Sequence, residues 1–181
     1  MLSNRMIKEL NEQVVKEWYS AHLYMQMAAY FENENLPGFS HWMRVQAQEE
    51  LCHGLIIFNY VCERDGYVEL GPIASPATKF ASPQEVFEKT LAHEQLVTAS
   101  IHNLVNIAIE EKDHATKNRL EWFVEEQVEE EANATTILGK LKRLKKDSEA
   151  IFILDTEMAA RTFSLPAPLM GKMPAAGAAG G

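Results

Sequence analysis

Four glutamates occupy positions where a helical bundle would place leucine or valine, and a histidine follows one of them by three residues. They are Glu17, Glu50, Glu94 and Glu130, with His53 one helical turn after Glu50. Removing an ionised side chain from water costs several kcal/mol, roughly, even after its surroundings relax. Four acidic groups that meet in one interior must therefore be largely protonated or held by cations. Carboxylate and imidazole ligands together favour ferrous iron, manganese or zinc.

Four long stretches with helical spacing must position these residues. Apolar side chains recur at alternating steps of three and four, and each glutamate lies near the middle of its row. The rows cover residues 10–31, 39–60, 87–108 and 120–144. Such spacing is typical of left-handed four-helix packing. The sequence therefore predicts an all-α bundle in which the four glutamates meet at one level.

Turn and cap residues divide the chain into elements. We expect four long helices at about 4–33, 37–64, 83–111 and 114–146. The tight turn at 35–38 makes the first two antiparallel. Residues 65–82 contain glycine and proline and show no helical period, so they can cross the length of the bundle and leave helices two and three parallel. The expected order is up-down-down-up.

The C-terminal part of the chain, residues 148–181, is predicted to contain no further long helix. Residues 148–162 form a short apolar segment that cannot stand alone in water and must pack on the end of the bundle or on another subunit. Residues 165–181 are rich in proline, alanine and glycine, which predicts disorder. The expected organisation is one domain at 1–164 and a disordered tail at 165–181.

Composition limits the class of protein. A chain of 181 residues with 46% hydrophobic content suits one domain with a sizeable core. A net charge of -9 argues against nucleic acid as a partner. No apolar run approaches the roughly 20 residues of a membrane span, and the N-terminal residues lead into an amphipathic helix without a secretory core. Cys52 and Cys62 lie too far apart on one helix for a disulfide. These features favour a cytoplasmic protein.

The five central residues can be divided between two metal ions. We expect Glu17, Glu50 and His53 to hold one ion, while Glu50, Glu94 and Glu130 hold the other. Glu50 would then bridge the pair. The fourth helix has Glu130 where a symmetric site would have a second histidine, so the second ion has few ligands and should exchange more easily. This asymmetry favours iron that passes through over a permanently held cofactor.

Polar residues next to the central five suggest further roles. Tyr24 shares a helical face with Glu17 and could hydrogen-bond a ligand or donate an electron, although a plain core tyrosine is an open alternative. Gln127 is neutral and is expected to hydrogen-bond near the site. An acidic edge could bind a third, weaker cation, or could simply be solvated. Its members are Glu49, Glu126, Glu129 and Glu130.

Over about residues 2–163 the chain resembles the bacterial non-haem ferritins. The resemblance is carried by Glu17 with Tyr24 and by residues 47–53, 93–96 and 122–131. It implies a four-helix bundle with a short fifth helix, a homo-24-mer shell, and oxidation of ferrous iron by O2 or H2O2 with storage of ferric oxide-hydroxide inside. It also implies site roles: the ferroxidase ligands are Glu17, Glu50, His53, Glu94 and Glu130, Gln127 is their neighbour, and Glu49, Glu126 and Glu129 complete a third iron site.

Related families fit the residues less well. Bacterioferritins have a haem methionine directly after the first glutamate of the Glu-x-x-His motif, whereas this chain has Leu51, so no haem is expected. Two alternatives from other classes stay open: a cage that only sequesters metal, and a small di-iron oxygenase that acts on an organic substrate. Oxygen uptake and native mass separate these from a ferroxidase.

Overall fold

Five α-helices dominate the part of the chain that a computed structural model describes, residues 1–144 and 149–171. They are α1 (Asn4–Asn33), α2 (Pro37–Glu63), α3 (Pro83–Glu110), α4 (His114–Arg143) and α5 (Ala150–Met158), followed by a short 3-10 turn at Ala167–Leu169. The predicted bounds of the first three helices are confirmed to within one residue. α4 ends earlier than expected because Leu144 is already extended. The predicted continuation at 145–146 and the predicted start of the fifth segment at 148 lie outside the described residues.

Side-chain caps explain where α1 and α3 begin. The Ser3 hydroxyl accepts a hydrogen bond from the Met6 amide at 3.0 Å. Ser82 accepts in the same way from the amide of Glu85 at 3.1 Å, and Pro83 follows at the first helical position, where its missing amide is harmless. Such caps satisfy backbone donors that the first turn of a helix leaves unpaired.

Two antiparallel hairpins, α1 with α2 and α3 with α4, make up the bundle. The first apolar cluster joins the start of α1, the end of α2, the second half of α3 and the start of α4, around Leu10, Ile57, Ile101 and Phe123. The second apolar cluster joins the opposite ends, around Phe31, Phe39, Phe87 and Leu141. α2 and α3 therefore run parallel. The predicted up-down-down-up order is confirmed, and residues 65–82 cross the bundle between its two ends.

A polar layer separates the two apolar clusters. All of its side chains are buried at the middle of the four long helices, and none is more than 4% exposed. The layer contains Glu17, Glu50, His53, Glu94, Gln127 and Glu130. The polar layer thus divides the core into two apolar clusters, and the site residues predicted from the sequence lie between them.

α5 docks on the second apolar cluster through Leu154 and Met158. It also caps α2, because Asp155 Oδ1 accepts a hydrogen bond from the Phe39 amide at 2.9 Å, whereas the N-cap residue Leu36 provides no side-chain acceptor. The opposite face of α5 is exposed, with Ile153 at 73%. The prediction that this segment packs on the bundle is confirmed for one face, and the other face is exposed.

Gly38 allows this docking and gives a direct test of it. A Cβ atom at Gly38 would lie 1.8 Å from the carbonyl oxygen of Asp155, which is backbone and cannot rotate away. We expect Gly38→Ala to lower the free energy of unfolding by roughly 1–3 kcal/mol, the range for overpacking. Chemical denaturation would measure this loss, and hydrogen exchange would show α5 opening first.

Gly139 in α4 provides the matched control, because a Cβ atom there meets nothing within 4 Å. Gly139→Ala should leave stability unchanged or raise it by up to about 1 kcal/mol, since alanine favours the helix. Equal effects of the two substitutions would contradict the docking role of Gly38.

After α5 the chain turns back along α2, and we call residues 159–171 the strap. Near its start, His41 Nε2 lies 2.7 Å from the Arg161 carbonyl oxygen. Near its end, Leu169 is 1% exposed in the first apolar cluster. Within the predicted disordered tail, burial of Leu169 places residues 165–171 against the bundle despite their composition. The remainder of that prediction, 172–181, lies outside the described residues.

The sequence predictions on thiols and membranes can also be compared with the structure. Both cysteines are free, Cys52 buried and Cys62 exposed, so they do not pair with each other, as their separation on one helix predicts. None of the helices that the structure describes combines the length and the apolar character needed to span a bilayer.

Candidate metal centre

The first hairpin brings three candidate ligands together. One ligand atom from each of Glu17, Glu50 and His53 lies within 4.8 Å of the other two. Glu50 and His53 are one turn apart on α2, which places His53 Nδ1 3.4 Å from Glu50 Oε2. All three side chains are at most 2% exposed. This is the grouping that the Glu-x-x-His spacing predicts for one metal ion.

The second hairpin contributes two further buried carboxylates to the polar layer, outside the group of three. Glu94 of α3 and Glu130 of α4 are buried. Burial raises the pKa of Glu50 well above its ordinary value, and the negative charges of Glu94 and Glu130 raise it further. Glu94 also raises the pKa of Glu130. Such coupling requires proximity in a poorly solvated interior. The structure therefore places the five predicted residues in one layer.

Neutral donors orient the carboxylates. Gln13 Nε2 donates to Glu17 Oε1 at 2.8 Å, and Gln46 Nε2 donates to Glu50 Oε1 at 3.4 Å. Sequence reasoning gave neither glutamine a role. The signal was present, however, since each glutamine precedes its glutamate by four residues, one helical turn on the same face. A glutamine holds a carboxylate in place without neutralising it.

Gln127 does the same for Glu94. Its Nε2 donates to Glu94 Oε2 at 3.2 Å, which agrees with the prediction of a neighbour that hydrogen-bonds near the site. Tyr24 donates through its hydroxyl to the other oxygen, Oε1. Burial, followed by the charge of Glu94, raises the pKa of Tyr24 well above its ordinary value. Tyr24 is therefore a neutral phenol that positions Glu94.

Burial strongly disfavours negative charge in this layer. Desolvation, and then the charge of Glu50, raises the pKa of Glu17 to about 8. Desolvation, and then Glu94, raises the pKa of Glu130 to about 7. A cation nearby would reverse both effects, because it favours the ionised form. The layer is thus a set of carboxyls that gain most from a bound cation.

His53 supports the same interpretation. Its Nε2 atom is buried and has no hydrogen-bond partner among residues 1–144 and 149–171. The atom lies 4.0 Å from Glu126 Oε1, which is beyond hydrogen-bond reach. Leaving a buried polar atom unpaired is costly, whereas a histidine that binds a metal through one nitrogen commonly gives the other to a carboxylate. The donor set and this atom fit a metal site.

The acidic edge predicted for a third cation also lies at this layer. Glu49 is partly buried, and burial raises its pKa to about 7. Glu126 is half-buried, and its pKa is raised by burial and by Glu129, which is itself exposed. Glu49 Oε2 additionally forms an ion pair with Arg161 Nη2. Sequence reasoning missed Arg161, because it belongs to none of the periodic helices and lies 112 residues from Glu49 along the chain.

Comparison with known proteins agrees with this site and fold. Residues 7–144 match the family model of the ferritin-like domain. The bacterial non-heme ferritin of Staphylococcus aureus (strain USA300) is 41% identical over 163 residues, which cover 90% of this chain and 98% of that protein.

Solved structures give the same answer. An engineered closed form of the Archaeoglobus fulgidus ferritin is 47% identical, with a TM-score of 0.89 over 91% of this chain and 100% of that one. An open-pore ferritin from the same hyperthermophilic archaeon is also 47% identical, with a TM-score of 0.88 over 89% and 98% of the two chains. The chain has a polar layer inside a four-helix bundle whose second and third helices run parallel. This architecture and the matches together show that the chain belongs to the ferritin family.

Proposed function

We propose that this protein is an iron-storage ferritin that oxidises ferrous iron between its four long helices and stores the ferric product. The observation that carries the proposal is the buried group of Glu17, Glu50 and His53, whose ligand atoms lie within 4.8 Å of one another. Membership of the ferritin family supports it. Hydrophobic packing does not require charged groups at this level of a core, whereas metal binding does.

The ligands divide between two iron ions, which are the substrate. Glu17, Glu50 and His53 hold the first, and Glu50, Glu94 and Glu130 hold the second. Each ferrous ion gives one electron to O2 or H2O2, and the carboxylates favour the ferric product because their negative charge offsets the added positive charge. The second ion has no imidazole ligand, so it exchanges more readily and lets iron move on.

Neighbouring residues assist in this proposal. Gln127 and Tyr24 hold Glu94, and Tyr24 is in addition a candidate electron donor. A third iron site on the acidic edge would pass ferric iron towards the interior. Its ligands are Glu49, Glu126, Glu129 and Glu130. The functional unit is residues 1–164, together with the ordered part of the strap.

Storage requires a container, and we propose a shell of 24 identical subunits. Apolar side chains on the surface support self-association, because a monomeric protein rarely exposes large apolar patches. Leu51 is 49% exposed on α2, and Phe152 is 61% exposed beside Ile153 on α5. The two free thiols are compatible with a reducing cytoplasm.

Mixing the metal-free protein anaerobically with ferrous iron, and then with oxygen, tests the function. We expect a rapid phase of iron oxidation that saturates at two ferrous ions per subunit, with oxygen consumed in step. Native mass should be about half a megadalton, since each subunit has a mass of 20.5 kDa. Iron binding without stoichiometric oxygen uptake would indicate a cage that only sequesters metal. A monomer or dimer would favour an oxygenase instead.

A further inference from the structure

Arg161 of the strap lies on the acidic edge and is tightly held there. Its Nη2 forms the ion pair with Glu49 Oε2, and its Nη1 donates to Gln46 Oε1 at 2.6 Å. The guanidinium carbon lies 4.2 Å from the centre of the Trp42 ring, a cation–π contact. The side chains of Arg161 and Glu49 are only 18% and 15% exposed, so water screens their attraction weakly.

The guanidinium lies directly on Glu49 of this edge, so it takes the position that a cation bound by Glu49 would take. Gln46 connects this edge to the centre, since its amide donates to Glu50 while its carbonyl oxygen accepts from Arg161.

We propose that Arg161 is a tethered cation that occupies the third cation site, and that Arg161 and a third metal ion exclude each other. The proposal rests on the proposed function, which supplies the third site. Glu49 Oε2 cannot accept the guanidinium and ligate a metal at once, and two positive charges a few ångströms apart repel each other strongly in a partly buried groove.

Mutual exclusion couples metal binding to the strap. A third ion that takes Glu49 must displace Arg161, and the start of the strap then loses its ion pair, its bond to Gln46 and its contact with Trp42. By linkage, a strap that stays in place lowers the affinity for the third ion by the same factor. Leu169 remains as a separate anchor, so the strap would loosen at one end.

Arg161→Gln tests the proposal, because it removes the charge and keeps a polar side chain. The probe is Zn²⁺ in calorimetric titration, since zinc accepts carboxylate and imidazole ligands and has no redox chemistry. The wild-type protein should bind ions tightly at the centre and a third ion weakly. The variant should bind the third ion roughly 10- to 100-fold more tightly, the gain expected when the competent state was populated at about 10% to 1%. Adding Glu49→Gln should abolish this gain.

Arg119→Gln is the matched control. Arg119 of α4 likewise contacts an aromatic ring and a glutamate of α2: its guanidinium carbon lies 5.2 Å from the Tyr60 ring centre, and its Nη2 lies 3.4 Å from Glu63 Oε2. The substitution removes one positive charge from a comparable contact without freeing Glu49. A general electrostatic effect would raise the affinity for the third ion in both variants. Occupation of the site by Arg161 predicts a large gain in affinity only in Arg161→Gln.

Hydrogen exchange of the wild-type protein gives a second readout that needs no variant. Amides of residues 159–164 should exchange faster with the third ion bound than with the centre alone filled. Unchanged exchange, together with equal third-ion affinities in the wild-type protein and Arg161→Gln, would overturn the proposal. Failure of the central ions to bind would instead overturn the proposed function.

Discussion

Replacing Glu50 with alanine is expected to abolish the rapid oxidation of ferrous iron. Glu50 lies beside His53 on one side. On the other side, the charges of Glu94 and Glu130 add to the effect of burial in raising its pKa. In the proposed function it is therefore the carboxylate that both ions share. Changing a residue that only supports a metal ligand typically lowers metal affinity or activity roughly 10- to 100-fold. Losing a shared ligand should therefore reduce the initial rate by more than roughly 100-fold.

Absorbance of the ferric product after mixing with oxygen measures this rate. Glu125→Ala is the matched control, because Glu125 belongs to the same acidic run and is exposed, away from the polar layer. It should retain the wild-type rate. His53→Ala should lose less than Glu50→Ala, since it removes a ligand from the first ion only. An unchanged initial rate in Glu50→Ala would exclude this centre as the place of oxidation.

The metal-free protein is expected to lose stability as the pH rises from about 5 to 8. In the unfolded chain a glutamate releases its proton near its ordinary pKa of 4.5, whereas in the folded protein the pKa of Glu17 is about 8 and that of Glu130 about 7. Between these values the folded state binds more protons than the unfolded state, so the free energy of unfolding falls with pH. For groups shifted this far, the loss should amount to several kcal/mol, roughly.

A divalent cation should cancel this loss, because it stabilises the ionised carboxylates in place of protons. The rise in Tm on adding Zn²⁺ should therefore grow between pH 5 and pH 8. Thermal unfolding with and without zinc across this range measures it. Glu17→Gln should give a flatter pH dependence and a more stable metal-free protein, since a neutral amide replaces a buried acid. A zinc effect that shrinks as the pH rises would contradict the assignment.

Periodicity, together with the turn and cap residues, was enough to predict the architecture and the level at which the four glutamates lie. Glu50 and His53 interrupt an apolar row, and a helix has only one face on which such a row can lie, so their burial follows from their spacing. The same argument applied to four rows places four glutamates at one level. Ser82 and Pro83 likewise define the start of α3, because local capping chemistry determines helix ends.

Contacts made by irregular segments could not be predicted in this way. The strap has no period, and its proline and alanine content indicates disorder, yet burial of Leu169 holds it on the bundle. Arg161 reaches Glu49 only because α5 turns the chain back along α2. Nothing local to either residue encodes that meeting, since it depends on how Gly38 admits Asp155 and so fixes the path of the chain.

The division of the bundle into two hairpins bears on how a newly made subunit matures. α1 and α2 alone supply Glu17, Glu50 and His53, whereas Glu94 and Glu130 follow the crossover at 65–82. Contacts within a hairpin close short loops and form early, and a nascent chain emerges with its N-terminal hairpin first. We therefore expect the site to be completed only when the second hairpin has docked, since both apolar clusters draw side chains from all four long helices.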